Sequence, residues 1–129
     1  MKTIKQTYLI DAPFEEVWKA LVDPVYIDGW GGGPAEMDDK KGTKFSLWGG
    51  EIWGTNIEVI PNKKLVQEWY SKGEIKDKPS KATFELHEDK GKTRLELVHE
   101  EVPDDVVDDI DNGWKDYYLG PLKSFLESE

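Results

Sequence analysis

Over residues 2–10, KTIKQTYLI, the chain alternates with a period of two: Ile4, Gln6, Tyr8 and Ile10 share one face, and Lys5, Thr7 and Leu9 the other. That alternation predicts a strand. The spacing then lengthens. In DAPFEEVWKALVDP, Phe14, Val17, Trp18 and Leu21 recur at helical intervals. Asp11 stands just upstream, Pro13 falls in the first turn, and Glu15 and Glu16 sit where the helix dipole favours acids. Pro24 ends this helix, and DPVYIDGW predicts a short second one, with Asp23 as cap and Pro24 at its first position.

From residue 36 to residue 100 the period of two returns, broken by KKG, GG, PNKK, SKGEIKDKPS and EDKGK. The runs between them predict strands at 36–39, 43–48, 51–60, 64–70, 81–87 and 93–100. Short connections between successive strands imply an antiparallel meander. The clearest hairpin is FELHEDKGKTRLELVHE, where Phe84 and Leu86 should face Leu95 and Leu97. A long helix closes the chain. Pro103 and the following acids suit its start, and Val107, Ile110, Trp114, Tyr117, Tyr118, Leu122 and Phe125 form its apolar stripe. Gly120 and Pro121 interrupt the stripe without ending it, which predicts a kink. The fold class is therefore α+β. A curved antiparallel sheet of about seven strands wraps a long C-terminal helix, with two short helices after the first strand, in one domain spanning residues 1–129.

Composition narrows the partners. The formal charge is −10, Arg94 is the only arginine, and such a surface repels phosphate backbones and anionic bilayers, so neither nucleic acid nor membrane is expected. No apolar run reaches membrane-spanning length, no signal peptide precedes the first strand, and cysteine is absent; a cytoplasmic location is expected. Six tryptophans, five tyrosines and four phenylalanines are a heavy aromatic load for so acidic a chain, and the core must take most of it.

Four segments, APFEEVWKALVDP, GTNIEVIPNKKLVQEWY, GKTRLELVHEEVP and GWKDYYLGPLKSFLES, resemble the successive motifs of the family named for the activator of heat-shock protein 90 ATPase, C-terminal domain. The alternation of Thr93, Leu95, Leu97 and His99 belongs to that likeness. The family lies in the START and birch-pollen-allergen (SRPBCC) superfamily. The resemblance implies the helix-grip fold and a cavity between sheet and terminal helix that holds a small hydrophobic or amphipathic molecule. It also implies, as a second partner class, a chaperone in a stress-response setting. The eukaryotic co-chaperone of this family carries a separate N-terminal contact domain with an asparagine–tryptophan–histidine–tryptophan segment. This chain opens at the first strand of the second domain, so the expectation is that it does not appreciably accelerate the chaperone's ATPase. Cyclase- and hydrolase-like enzymes of the superfamily supply a third reading.

The candidate chemistry is sparse. DGWGGGPAEMDD lacks the spacing of a phosphate loop and reads as a flexible connection, placed to border the cavity mouth with Trp30 as lid or core anchor. EEVPDDVVDDID lacks calcium-loop spacing, so no metal is expected, and no motif calls for a cofactor. His87 shares the face of Glu85, outward; His99 shares that of Leu95 and Leu97, inward, as a core histidine or a polar anchor. No serine, cysteine or second histidine is spaced to make a catalytic set with it, so binding without chemistry is the leading function. The expected ligand-binding residues are Tyr8, Trp30, Phe45, Trp53, Gln67, Trp69, Phe84, His99, Trp114 and Tyr118. Gln67, between Leu65 and Trp69, is included because a buried amide needs partners that a ligand could supply.

Overall fold

The computed structural model describes residues 1–71 and 79–128. Strands β1 (Lys2–Ile10), β2 (Lys44–Leu47), β3 (Ile52–Ile60), β4 (Lys64–Ser71), β5 (Ser80–Asp89) and β6 (Lys92–Val102) form one sheet in the order β1-β6-β5-β4-β3-β2. Every neighbouring pair is antiparallel. The β5–β6 hairpin has the expected register, Phe84 against Leu97 and Leu86 against Leu95. Thr93, Leu95, Leu97 and His99 are all buried on the inner face. A register shift in β3 between Asn56 and Glu58 marks a bulge, which adds local bend to the sheet. The turn read at 71–80 lies, apart from its ends, outside the described residues.

The seventh strand, expected at 36–39, is reduced to a single bridge between Glu36 and Ser46. Asp38 is the reason. Its carboxylate accepts from the Lys40 N–H at 2.9 Å and from the Thr43 hydroxyl at 3.1 Å, turning the chain away before a ladder can grow. The glycine run ahead of it is not a loose connection either. Gly31 stops the second helix in the left-handed region, Gly32 O accepts from Trp48 N at 2.7 Å, and Pro34 O accepts from Gly49 N at 3.0 Å. The run is thus stitched to the turn between β2 and β3.

Helix α1 (Phe14–Val22) begins one residue after Pro13, which occupies the capping position rather than the first turn. Helix α2 (Pro24–Trp30) is capped as expected: the Asp23 carboxylate accepts from Val25 N at 2.9 Å. The terminal helix has three parts, α3 (Val107–Gly113), a widened π turn (Trp114–Leu119) and α4 (Gly120–Glu127). Pro121 has no N–H, and its ring would crowd a carbonyl in a regular α-turn; one extra residue in the preceding turn relieves both conflicts. The kink expected at Gly120–Pro121 therefore takes the form of a π turn.

The extra residue also rotates the apolar stripe. Trp114, Tyr118, Leu119 and Leu122 are buried against the sheet, whereas Tyr117, expected among the anchors, points outward at 69% exposure. The core is one cluster joining the inner sheet face to α1, α2 and the terminal helix. The exposed Gly29 of α2 faces the ring of Phe125 on α4 so closely that an added Cβ would lie 2.7 Å from it.

The two glycines of the terminal helix should answer differently to alanine. A Cβ at Gly120 would sit 2.1 Å from the Lys115 carbonyl oxygen, which accepts the Gly120 N–H across the π turn. At Gly113 it would meet nothing within 4 Å. In chemical denaturation Gly120→Ala should lose about 1–3 kcal/mol, and Gly113→Ala should gain up to about 1 kcal/mol from helix propensity. Equal effects would show that the π turn is not the constraint.

Candidate functional site: an aromatic pocket under the terminal helix

Where the terminal helix crosses the sheet the packing leaves a pocket of about 430 Å³. That size falls in the roughly 300–1,000 Å³ range of small-molecule sites. Ile52, Trp69, Ser71 and His99 form its sheet wall; Asp109, Ile110, Gly113, Trp114, Tyr117 and Tyr118 form its helix wall; Trp48 and Glu51 close the third side. A second depression of about 460 Å³ beside α1 mixes charged residues (Glu15, Lys19, Asp23, Asp38 and Asp39) with Trp18, Val22, Pro24 and Met37.

The pocket is built around Trp114, which is 2% exposed. Its ring stacks on Trp69 with centroids 4.6 Å apart and tilts against Tyr118 at 4.7 Å. Phe84 meets Trp114 edge-on at 5.6 Å from behind. The Trp114 indole N–H donates to His99 Nδ1 at 3.0 Å. An indole nitrogen can only donate, so Nδ1 is an acceptor and the imidazole is neutral with its proton on Nε2. That proton points to Ser80 Oγ at 2.7 Å, and the serine hydroxyl in turn donates to the Trp69 carbonyl oxygen at 3.4 Å. The Ser80–His99 pair is therefore oriented away from catalysis: a histidine base would have to accept the serine proton, and here it donates.

Tyr118 supplies a different feature. It is 1% exposed, and its hydroxyl has no hydrogen-bond partner among the described residues. Burial pushes its phenol well above the ordinary value of 10.0. Tyr118 packs tilted on Trp30 at 4.7 Å and edge-on to Trp48 at 5.8 Å.

Of the residues expected to bind a ligand, Trp69, His99, Trp114 and Tyr118 come together in the pocket wall. Phe84 stands in the second layer behind Trp114 and Tyr118. The others lie elsewhere. Trp30 is a core anchor whose Nε1 donates to Ala20 O at 2.9 Å, and Phe45 is buried beneath Gly54. Gln67 finds its partners within the protein: it donates to Asn56 Oδ1 and accepts from Trp69 Nε1, both at 2.9 Å. Trp53 is on the outer sheet face, 41% exposed and stacked on Tyr70 at 5.8 Å. Tyr8 bonds Gln6 on β1, outside the pocket lining. His87 is outward as expected, 3.5 Å from both Glu85 and Glu96. Trp48, Ile52, Ile110 and Tyr117 were not expected in the site. Trp48 could have been suspected from WGG at the end of a strand run, because a glycine pair swings the chain and its last side chain inward.

Comparison with known proteins gives the family and the fold. Residues 11–127 match the family described as Activator of Hsp90 ATPase homolog 1-like protein. The chain belongs to that family. It is 34% identical over 88 residues to the activator of 90 kDa heat shock protein ATPase homolog of Dictyostelium discoideum, covering 67% of this chain and 23% of the relative. With activator homolog 1 of Homo sapiens the identity is 23% over 121 residues, 94% of this chain and 35% of the relative. The chain thus spans about a quarter to a third of the length of these relatives. Among solved structures, an HSP90 activator from Plasmodium falciparum superposes with a TM-score of 0.89 at 27% identity, covering 98% of this chain and 96% of the other. CalU16 from Micromonospora echinospora gives 0.79 at 30% identity, covering 97% and 73%. Among the described residues no helix is long and apolar enough to cross a membrane.

The buried phenol has a consequence for stability in alkali. The folded state holds the Tyr118 proton more tightly than the unfolded chain, whose phenol ionises near 10.0. This contribution is fully present below pH 10, and is lost as the pH rises beyond it and the unfolded state sheds a proton the folded state keeps. Tyr8 is raised in the same direction, by partial burial and then by Asp111 and Asp116. Tyr118→Phe should therefore flatten the fall of unfolding free energy between pH 9 and 11. At pH 7 its stability should stay within about 1 kcal/mol of the parent, since the hydroxyl it loses has no described partner. A large loss at pH 7 would mean that the hydroxyl is bonded after all.

Proposed function

We propose that this domain binds a small hydrophobic or amphipathic molecule in the pocket between sheet and terminal helix, without chemical conversion. The observation that carries the reading is an aromatic-lined space of about 430 Å³ bordered by Trp48, Trp69, Trp114 and Tyr118. Close packing elsewhere in the core makes such a space costly to keep. Its lining is mainly aromatic and aliphatic, with Ser71, His99, Glu51 and Asp109 as the polar members, the usual composition of a ligand site. The orientation of the Ser80–His99 pair favours binding over hydrolysis.

A second reading, association with a chaperone, rests on the family membership and on the likeness to a Plasmodium falciparum chain described as an HSP90 activator. The two readings can be separated by one variant.

Gly113 lines the pocket with open space where a Cβ would stand, so Gly113→Leu fills the cavity from the helix side. Neutral aromatic probes titrated against tryptophan fluorescence should bind the parent and lose at least about tenfold in affinity to this variant, a change of about 1.4 kcal/mol. Its unfolding free energy should stay within about 1 kcal/mol of the parent. Equal probe affinity in the two proteins would remove the pocket as the binding site. Stimulation of heat-shock protein 90 ATPase by the chain, retained in Gly113→Leu, would make the chaperone reading the primary one.

A further inference from the structure

We infer that residues 103–113 form a lid on the pocket, latched shut by Gln6, and that a ligand enters and leaves when this segment swings away from β1. The inference rests on the ligand-binding reading above and adds how access to that site is controlled. Burial marks the ends of the lid. Val102, at the end of β6, and Trp114, at the start of the π turn, are 0% and 2% exposed. Between these two anchors every residue is half-buried or exposed. Val106, Val107 and Ile110 rest against the core without being enclosed by it. The start of α3 is weak as well, because Val106 stands at the capping position and has no side-chain oxygen for the free N–H groups. Past Trp114 the same helix is fixed by Tyr118, Leu119 and Leu122, all buried. A segment with few enclosed apolar contacts, held between two firm ones, opens locally well before the whole domain unfolds. Gly113 is its pivot: it adjoins Trp114, and the space where a Cβ would stand is open.

The segment is also part of the site. Asp109, Ile110 and Gly113 line the pocket, so moving them widens its mouth while the buried stack of Trp69 and Trp114 stays in place.

A side chain on the sheet holds the lid down. Gln6, half-buried on β1, donates through Nε2 to the Asp111 carbonyl oxygen at 2.8 Å and to the Asp111 carboxylate at 2.7 Å. The amide nitrogen has two protons, so both bonds are made at once. The Tyr8 hydroxyl donates to Gln6 Oε1, which turns the nitrogen toward the helix. An ion pair between the Met1 amine and Asp104 at 2.9 Å lies in the same segment, but it is exposed at both ends and contributes little in water. The Gln6 bonds reach solvent too. Two such bonds bias an opening equilibrium by about one to two factors of ten, enough to keep the lid mostly shut and too little to lock it.

Amide hydrogen exchange on the protein without any probe tests the lid itself. Residues 107–113 should exchange at least about tenfold faster than residues 118–124. Gln6→Leu keeps the side-chain bulk and removes the latch, so exchange at 107–113 should rise about five- to fiftyfold while that at 118–124 stays as it was. Gln6→Glu sets a carboxylate against Asp111 and should open the lid at least as far, with an effect that shrinks at about 1 M salt. Stopped-flow mixing with N-phenyl-1-naphthylamine, a neutral dye, then tests the route. In Gln6→Leu the association and dissociation rate constants should rise together by at least about threefold, with Kd within about twofold of the parent, because the shut state still dominates. Equal protection on both sides of Trp114, or parental exchange in Gln6→Leu, overturns the lid and leaves the pocket reading intact. Faster exchange with unchanged dye rates overturns it as well, since the moving segment would not be the ligand's route. If the dye fails to bind the parent, the pocket reading falls and the lid falls with it.

Discussion

The contact on which the rest depends is the stacking of Trp114, on the terminal helix, against Trp69, in the fourth strand, with ring centroids 4.6 Å apart. It fixes the height of the helix above the sheet, and the height fixes the volume beneath. Two indoles face to face hold the helix further from the strands than aliphatic side chains would. Phe84 and Tyr118 fill the space on one side of the stack, and the pocket is what remains on the other. The indole nitrogens then fix the rings in rotation: Trp114 donates to His99 and Trp69 donates to Gln67. Gln67 is held in turn by Asn56, whose own amide reaches the Asp38 carbonyl at 3.1 Å. From Trp69 the hydrogen bonds therefore run through two strands to the turn that replaces the seventh strand. A slip of any one ring would break a buried hydrogen bond elsewhere.

The backbone of the helix is adapted to the same task. The regular geometry of an α-helix would not accommodate Pro121 without losing a turn, and an added residue in the turn before it keeps the helix continuous. That residue turns Tyr117 outward to the pocket rim and brings Leu119 inward. Gly120 is the position that tolerates the crowding, because the Lys115 carbonyl occupies the space a side chain would need. Helix α3, ahead of the π turn, has no fully buried residue, while α4 beyond it is anchored by Leu122 and by the contact of Gly29 with Phe125. The pocket lies under the less buried half.

What the sequence made legible was whatever depends on local period. The β5–β6 hairpin, the capping of α2 by Asp23 and the inward face of Thr93, Leu95, Leu97 and His99 follow from alternation and turn chemistry within a few residues. The misplaced residues are those where period is silent. In β3 the inward positions are Gly54 and Asn56, so the most apolar side chain of that stretch, Trp53, is on the outside. Hydrophobicity alone assigns the wrong face there, since Gly54 is kept small by the Glu68 carbonyl, 1.8 Å from where a Cβ would stand. Tyr117 was misplaced because a helical stripe assumes a constant number of residues per turn. Gln67 was placed on the correct face, but the partners it needed were side chains from other strands, which no spacing within one strand reveals.

The part of the pocket wall that was legible, Trp69, His99, Trp114 and Tyr118, is also the part that argues against the simplest chemistry. Ser80 and His99 are 2.7 Å apart, a distance that in isolation suggests a nucleophile and its base. The direction of the protons decides otherwise. A catalytic histidine accepts from the serine through one nitrogen and donates through the other to an orienting acceptor. Here the second nitrogen faces the Trp114 indole, which has a proton and no lone pair to offer. Reversing the pair would place two N–H groups against each other in a buried space. The stack that creates the pocket therefore also commits the inward-facing imidazole of His99 to a structural bond.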